Sequence, residues 1–202
     1  MRKGKPPAEG RVYQLKVTLR HIRPPIWRRL QVEGDVTLGQ LHRFLQVAMG
    51  WWDSHLHLFR IGRAEYSQPY PEEDPFRDDD DKAKDENAVA LGEVVRSERS
   101  RFVYVYDYGD HWEHEIVVEK ILPRDGEVAY PICLAGRRAC PPEDCGGPWG
   151  YGEMLQALAD PSHPQHESYT EWVGGSFDPE EFDLEEVSRR LSSPSTYVSW
   201  EE

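Results

Sequence analysis

The chain has 202 residues, 38% hydrophobic and 30% charged, which suits one domain with a sizeable core and excludes a disordered chain. No apolar run nears the ~20 residues that cross a bilayer, and no apolar stretch follows the basic start MRKGKPPAEGR, so neither a membrane span nor a signal peptide is expected. The net charge is −13, yet residues 1–30 hold nine Arg or Lys against Glu9, so that segment carries +8 and the remainder −21.

In chain order, residues 12–21 (VYQLKVTLRH) alternate apolar and polar and predict a half-buried strand. Pro24 and Pro25 end it, since proline cannot donate to a ladder, and residues 26–32 (IWRRLQV) predict the returning strand. A helix follows, with Thr37 as N-cap, Gln40 completing a capping box, and Val36 with Leu41 as a hydrophobic staple. Leu38, Leu41, Leu45 and Ala48 recur at helical spacing, and Gly50 ends the run. Residues 54–61 (SHLHLFRI) then alternate like a strand.

Residues 63–90 are expected to form a mobile acidic insertion: they are poor in large apolar side chains, so burial cannot offset ordering entropy. Residues 101–106 (RFVYVY) and 112–121 predict a hairpin around the turn DYGDH. Residues 130–139 suit a further strand or extended loop. The Pro/Gly loop CPPEDCGGPWGYG leads to helices near residues 151–159 and 166–172. The last helix has Asp183 as N-cap, Glu186 at the capping-box position and Phe182 with Val187 as staple, and it runs to about Leu191. The termini, residues 1–10 and 193–202, are expected to be loose. Strands, helix, strands, then helices is the order of an α+β fold, a roll of mostly antiparallel strands, spanning residues 11–192 as a single domain.

Three constellations carry the chemistry-bearing side chains. The first is the turn at 107–114, where Asp107, Asp110, His111 and His114 crowd together and resemble a cluster that holds a metal to activate water. Period two also puts Trp112, His114, Ile116 and Val118 on one face, which suits a half-buried histidine. The second is His55 and His57, whose rings on a regular strand face one side about 7 Å apart, a spacing able to share one metal. The third is Cys140 and Cys145, whose four-residue gap lies within the zinc-thiolate range although no second pair exists. Zinc or another divalent metal is therefore a candidate cofactor. The three cysteines (Cys133 is the third), an odd and small number, suit a reducing compartment, and a cytoplasmic location is expected. The basic arm, with Arg20, Arg23, Trp27, Arg28 and Arg29, suits phosphate and stacking contacts to nucleic acid, or else packs against the protein's own acids. The overall negative charge opposes strong non-specific nucleic-acid binding. The glycines after Cys145 are not followed by the Lys-Ser/Thr of a phosphate loop, and no Gly-x-Ser-x-Gly elbow exists.

IRPPIWRRLQV with TLGQLHRFLQVAMGW, YVYDYGDHWEHEIVVE and CPPEDCGGPWGY together resemble the Ri-plasmid open-reading-frame-three-like family, over residues 11–62 and 90–192. The resemblance implies a compact α+β roll and a link to plasmids and insertion elements, some members being labelled TnpR-type. It implies no reaction. A serine resolvase needs an early nucleophilic Ser among arginines, whereas the first serine here is Ser54, so resolvase chemistry is not expected. The matched polar positions Asp107, Tyr108, Asp110, Trp112, His114, Glu143, Asp144 and Tyr151 form the candidate shared site. Two functions compete: a non-enzymatic binding or accessory protein of mobile elements, and a metal-dependent hydrolase or nuclease using the cluster at 107–114.

Overall fold

The computed structural model describes residues 10–69 and 83–193. Strands β1 (Arg11–Leu19), β2 (Trp27–Glu33), β3 (His57–Ile61), β4 (Ala64–Ser67), β5 (Lys84–Asp85), β6 (Arg101–Tyr106), β7 (Trp112–Pro123) and β8 (Ile132–Arg137) form one sheet in the order β5-β4-β3-β6-β7-β1-β2-β8. All named pairings are antiparallel except β4 with β5. Helices α1 (Leu38–Met49), α2 (Leu91–Val94), α3 (Gly147–Ala159), α4 (His166–Trp172) and α5 (Leu184–Leu191) complete an α+β fold, as the element order predicts. Among the described residues no helix is long and apolar enough to cross a membrane.

The core follows the alternation read in the sequence. Leu15 of β1 lies between Leu30 of β2 and Val118 of β7, and all three are fully buried. Leu38, Leu41, Leu45 and Ala48 of α1 are buried with them. The Thr37 hydroxyl accepts from Gln40 N at 3.1 Å, and Gln40 Oε1 accepts from Thr37 N at 2.9 Å, so both halves of the capping box form. Gly50 turns left-handed at φ 100° and stops the helix.

Three elements differ from the sequence reading. Strand β3 starts at His57, leaving His55 in the preceding loop. The segment read as a mobile insertion carries β4 and β5 at its two ends and a 3-10 turn at Glu86–Ala88, while residues 70–82 lie outside the described residues. Helix α3 starts at Gly147 because Gly146 adopts φ 88° and Pro148 sits in the first turn, where its missing N–H is harmless. The outer parts of both termini, residues 1–9 and 194–202, also lie outside the described residues.

Arg28 ties four elements together from inside. It is 3% exposed, donates to the carbonyls of Ala48 (2.8 Å), Trp27 (2.9 Å) and Arg137 (3.0 Å), and its guanidinium lies 4.5 Å from the Phe182 ring. Phe182 also fills the place where Gly136 would carry a Cβ, so α5 docks closely on β8. Arg28→Ala strands the buried Ala48 carbonyl and removes the two partly buried bonds, and we expect a loss of about 3 kcal/mol, read as a lowered denaturant midpoint with unchanged slope.

Candidate functional site

The site hangs from Trp51, directly after the left-handed Gly50. Its ring is 4% exposed, stacks on Tyr106 at 4.9 Å and meets His114 edge-on at 5.2 Å, while Nε1 donates to the Pro141 carbonyl at 3.0 Å. Trp112 packs beside it with ring centroids 6.0 Å apart. One side chain thus joins the end of α1, the β6–β7 hairpin and the loop at residues 140–146.

Asp107 turns the hairpin at φ 57°, where its Oδ1 accepts from Gly109 N (2.8 Å) and Asp110 N (3.2 Å). Asp110 Oδ2 accepts in turn from Gly146 N at 3.0 Å. The Asp110 carbonyl occupies the space a Cβ on Gly147 would need, and Gly147 has φ 67°, so only glycine lets this loop sit on this turn. The docked loop delivers Glu143 and Asp144. Glu143 accepts from Trp52 N at 2.6 Å and from the Tyr106 hydroxyl at 3.0 and 3.1 Å. Burial first, and then the Glu143 carboxylate, push the Tyr106 phenol up, so it remains a donor to Glu143.

His55 closes the set. Its Nε2 lies 3.2 Å from Asp144 Oδ1, 3.3 Å from Glu143 Oε2 and 3.7 Å from Asp107 Oδ2. That nitrogen is buried yet makes no hydrogen bond. His55, Asp107 and Asp144 offer ligand atoms that all lie within 4.8 Å of one another, whereas Glu143 meets His55 but lies outside that group; a tetrahedral cation with bonds of about 2.1 Å separates its ligand atoms by about 3.4 Å. The fit is to one nitrogen and several carboxylate oxygens, a donor set for zinc or manganese. Asp144 is 71% exposed, which leaves one side of the cluster open. A cavity of about 280 Å³ adjoins it, lined by Asp53, Ser54, His55, Leu56, His57 and Tyr108 among others.

Other expected members go elsewhere. His57 does not share a metal with His55: because β3 begins at His57, the two rings part, and His57 Nε2 meets Glu86 Oε2 at 2.9 Å. The cluster at 107–114 does not gather as one unit. Asp107 joins His55, but His111 is exposed beside Glu113 at 3.7 Å and His114 is fully buried under Trp51. Cys140 and Cys145 join neither group of described residues that could hold a metal. Burial, then Asp110, pushes Cys145 up to about 12, and burial pushes Cys140 up as well, so neither is a ready nucleophile. Trp112 is core. Tyr108 is half-exposed and donates to the His57 carbonyl at 3.2 Å, while Tyr151 is buried edge-on to Phe177 at 6.2 Å with its hydroxyl unbonded.

A family model of plasmid pRiA4b ORF-3-like proteins matches residues 11–186. The chain belongs to this family. The chain is 42% identical over 166 residues to an uncharacterised protein, y4hQ, of Sinorhizobium fredii, covering 82% of each chain. It is 40% identical to a solved structure, a protein of unknown function, MM3350, from Methanosarcina mazei Go1; 88% of this chain and 98% of that one align with a TM-score of 0.79.

In this pRiA4b ORF-3-like chain much of the basic arm meets the protein's own acids. Arg20 pairs with Glu113 (3.1 Å) and Glu115 (3.7 Å), and Arg29 grips Glu119 through two nitrogens at 2.6 and 2.9 Å. Lys16 and Arg29 each lie 5.3 Å from the Trp27 ring, and Arg28 is buried as described. Only Arg23 of the five named residues is exposed, and Arg2, Lys3 and Lys5 lie outside the described residues. Three of the arginines expected to meet nucleic acid are therefore engaged internally.

His114 gives the fold an acid sensitivity. Burial pulls it down to about 4, against hydrogen bonds to the Tyr104 and Trp112 backbone that pull the other way. The unfolded chain, with an imidazole near 6.5, binds this proton more readily than the fold does. The contribution is thus intact above about pH 6.5 and is lost as pH falls toward 4, a change of roughly 3 kcal/mol. Denaturant titrations across that window should show this slope in the parent and a shallower one in His114→Phe.

Proposed function

We propose that this protein binds a divalent cation through His55, Asp107, Glu143 and Asp144, and uses the loaded site to recognise a ligand in the adjoining cavity. The observation that carries the reading is His55 Nε2, buried without a hydrogen bond and faced by three carboxylate oxygens at 3.2 to 3.7 Å. Three carboxylates crowded together repel one another, and a doubly charged ion relieves that repulsion. The reading makes the chain a binding protein, and the family's plasmid association suits an accessory role in mobile elements.

A hydrolase is the second reading, favoured by the 71% exposure of Asp144 and by the cavity that His55 lines. A cation held by His55, Asp107 and Asp144 would supply Lewis acidity toward a water reaching it from solvent. Hydrolysis of an activated phosphodiester with zinc or manganese, lost in Asp107→Asn, separates this reading from simple binding.

Cation binding is tested by equilibrium dialysis against zinc and manganese. The parent protein should retain the ion and gain about 2.7 kcal/mol of stability at a concentration a hundredfold above Kd. His55→Ala and Asp107→Asn should weaken retention by roughly a hundredfold. Gly147→Ala, which pushes the loop off the turn, should weaken it too, whereas His111→Ala should not. Unchanged retention in folded His55→Ala would end the proposal.

A further inference from the structure

A second group of imidazole and carboxylate side chains reaches the same cavity through Asp53 and His57. His42 of α1 and His57 of β3 stack face to face, with ring centroids 3.4 Å apart and planes within 2°. Asp53 Oδ1 lies 2.7 Å from His42 Nε2, and Glu86 Oε2 lies 2.9 Å from His57 Nε2. His42, His57 and Glu86 are each 3 to 6% exposed, while Asp53 reaches solvent. We propose that His42, Asp53 and His57, supported by Glu86, form a second divalent-cation site in the cavity wall. This proposal does not rest on the first site.

Spacing is the first argument. His42, Asp53 and His57 offer ligand atoms that all lie within 4.8 Å of one another. Ligand atoms on bonds of about 2.1 Å sit about 3 to 4 Å apart, and because an imidazole lone pair lies in its ring plane, the parallel stack must tilt open for both rings to reach one ion.

Charge is the second. Asp53 and Glu86 bring two carboxylates to the edges of the stacked rings. A divalent cation held there would balance both negative charges.

Support is the third. Metal-bound imidazoles ordinarily have a partner on the other ring nitrogen. His42 Nδ1 has the Tyr104 hydroxyl at 2.7 Å, and that hydroxyl accepts from Gln46 Nε2 at 2.9 Å. Gln46 Oε1 accepts from Asp53 N at 3.1 Å and so fixes Asp53, which turns the chain at φ 59°. One glutamine thus orients two of the three ligands. Asp53 and His57 line the cavity, which supplies the path by which an ion enters.

The test counts cations. The parent and three variants (Asp53→Asn, His57→Asn and His55→Ala) are dialysed against zinc, washed, and assayed for bound metal, with circular dichroism confirming the fold. Asp53→Asn is the main probe because its side chain is 46% exposed and the replacement keeps its shape. We expect two equivalents in the parent, and binding at the second site weakened tenfold or more in Asp53→Asn and His57→Asn. His55→Ala should remove only the other equivalent. A single equivalent that survives in His55→Ala and vanishes in Asp53→Asn supports this site and overturns the first. A parent that binds no zinc, or a folded Asp53→Asn that keeps every equivalent of the parent, overturns this inference.

Discussion

Trp51 is the contact on which the rest of the molecule's polar architecture depends. Its ring is pressed between the hairpin aromatics Tyr106 and Trp112, and its one donor is spent on the Pro141 carbonyl. A tryptophan buried on these terms has few alternative positions, because moving it would expose a large ring and leave an N–H unpaired. The polar residues are its close neighbours in sequence: His55 follows it by four residues, Asp107 follows Tyr106, and Glu143 follows Pro141 by two. Hydrophobic packing therefore fixes where the carboxylates stand, and their mutual repulsion is a consequence the core imposes.

The opposite side of the sheet is organised by charge. Glu113, Glu115 and Glu119 alternate along β7 with the buried Trp112, His114, Ile116 and Val118. The outward acids meet Arg20 and Arg29 from the neighbouring segments. Exposed or half-exposed pairs of this kind contribute little stability each. Their effect here is on availability: they occupy arginines that would otherwise offer a phosphate-binding surface.

Much of the fold was legible because its local signals agree with its tertiary packing. Thr37 and Gln40 announced α1, and the Leu38, Leu41, Leu45 stripe announced the face it buries. The hairpin at 101–121 was equally plain from its β-branched and aromatic run. The start of β3 was not, since alternation in SHLHLFRI continues past the point where hydrogen bonding stops, and that error put His55 and His57 on one face. Helix α3 began early because a left-handed Gly146 and Pro148 make a start that no side-chain cap marks. For the site, Asp107, Glu143 and Asp144 were visible as polar residues in turns, and His55 as a weak metal ligand. Their meeting was invisible, because it is made by Trp51 and by the missing side chain of Gly147. His42 carries a signal of its own: it lies four residues after Leu38 and three before Leu45, on the buried stripe itself.

Gly146 and Gly147 dock their loop onto the hairpin and so hold Asp144 beside His55. His55, Asp107 and Asp144 come from three stretches far apart along the chain, so an ion shared among them would act as a removable staple. Its ligands are assembled only in the folded chain, so it would stabilise that state by mass action. Unlike a disulfide, it would respond to metal supply and not to redox state, so the persistence of the folded protein would track the free cation concentration of its surroundings.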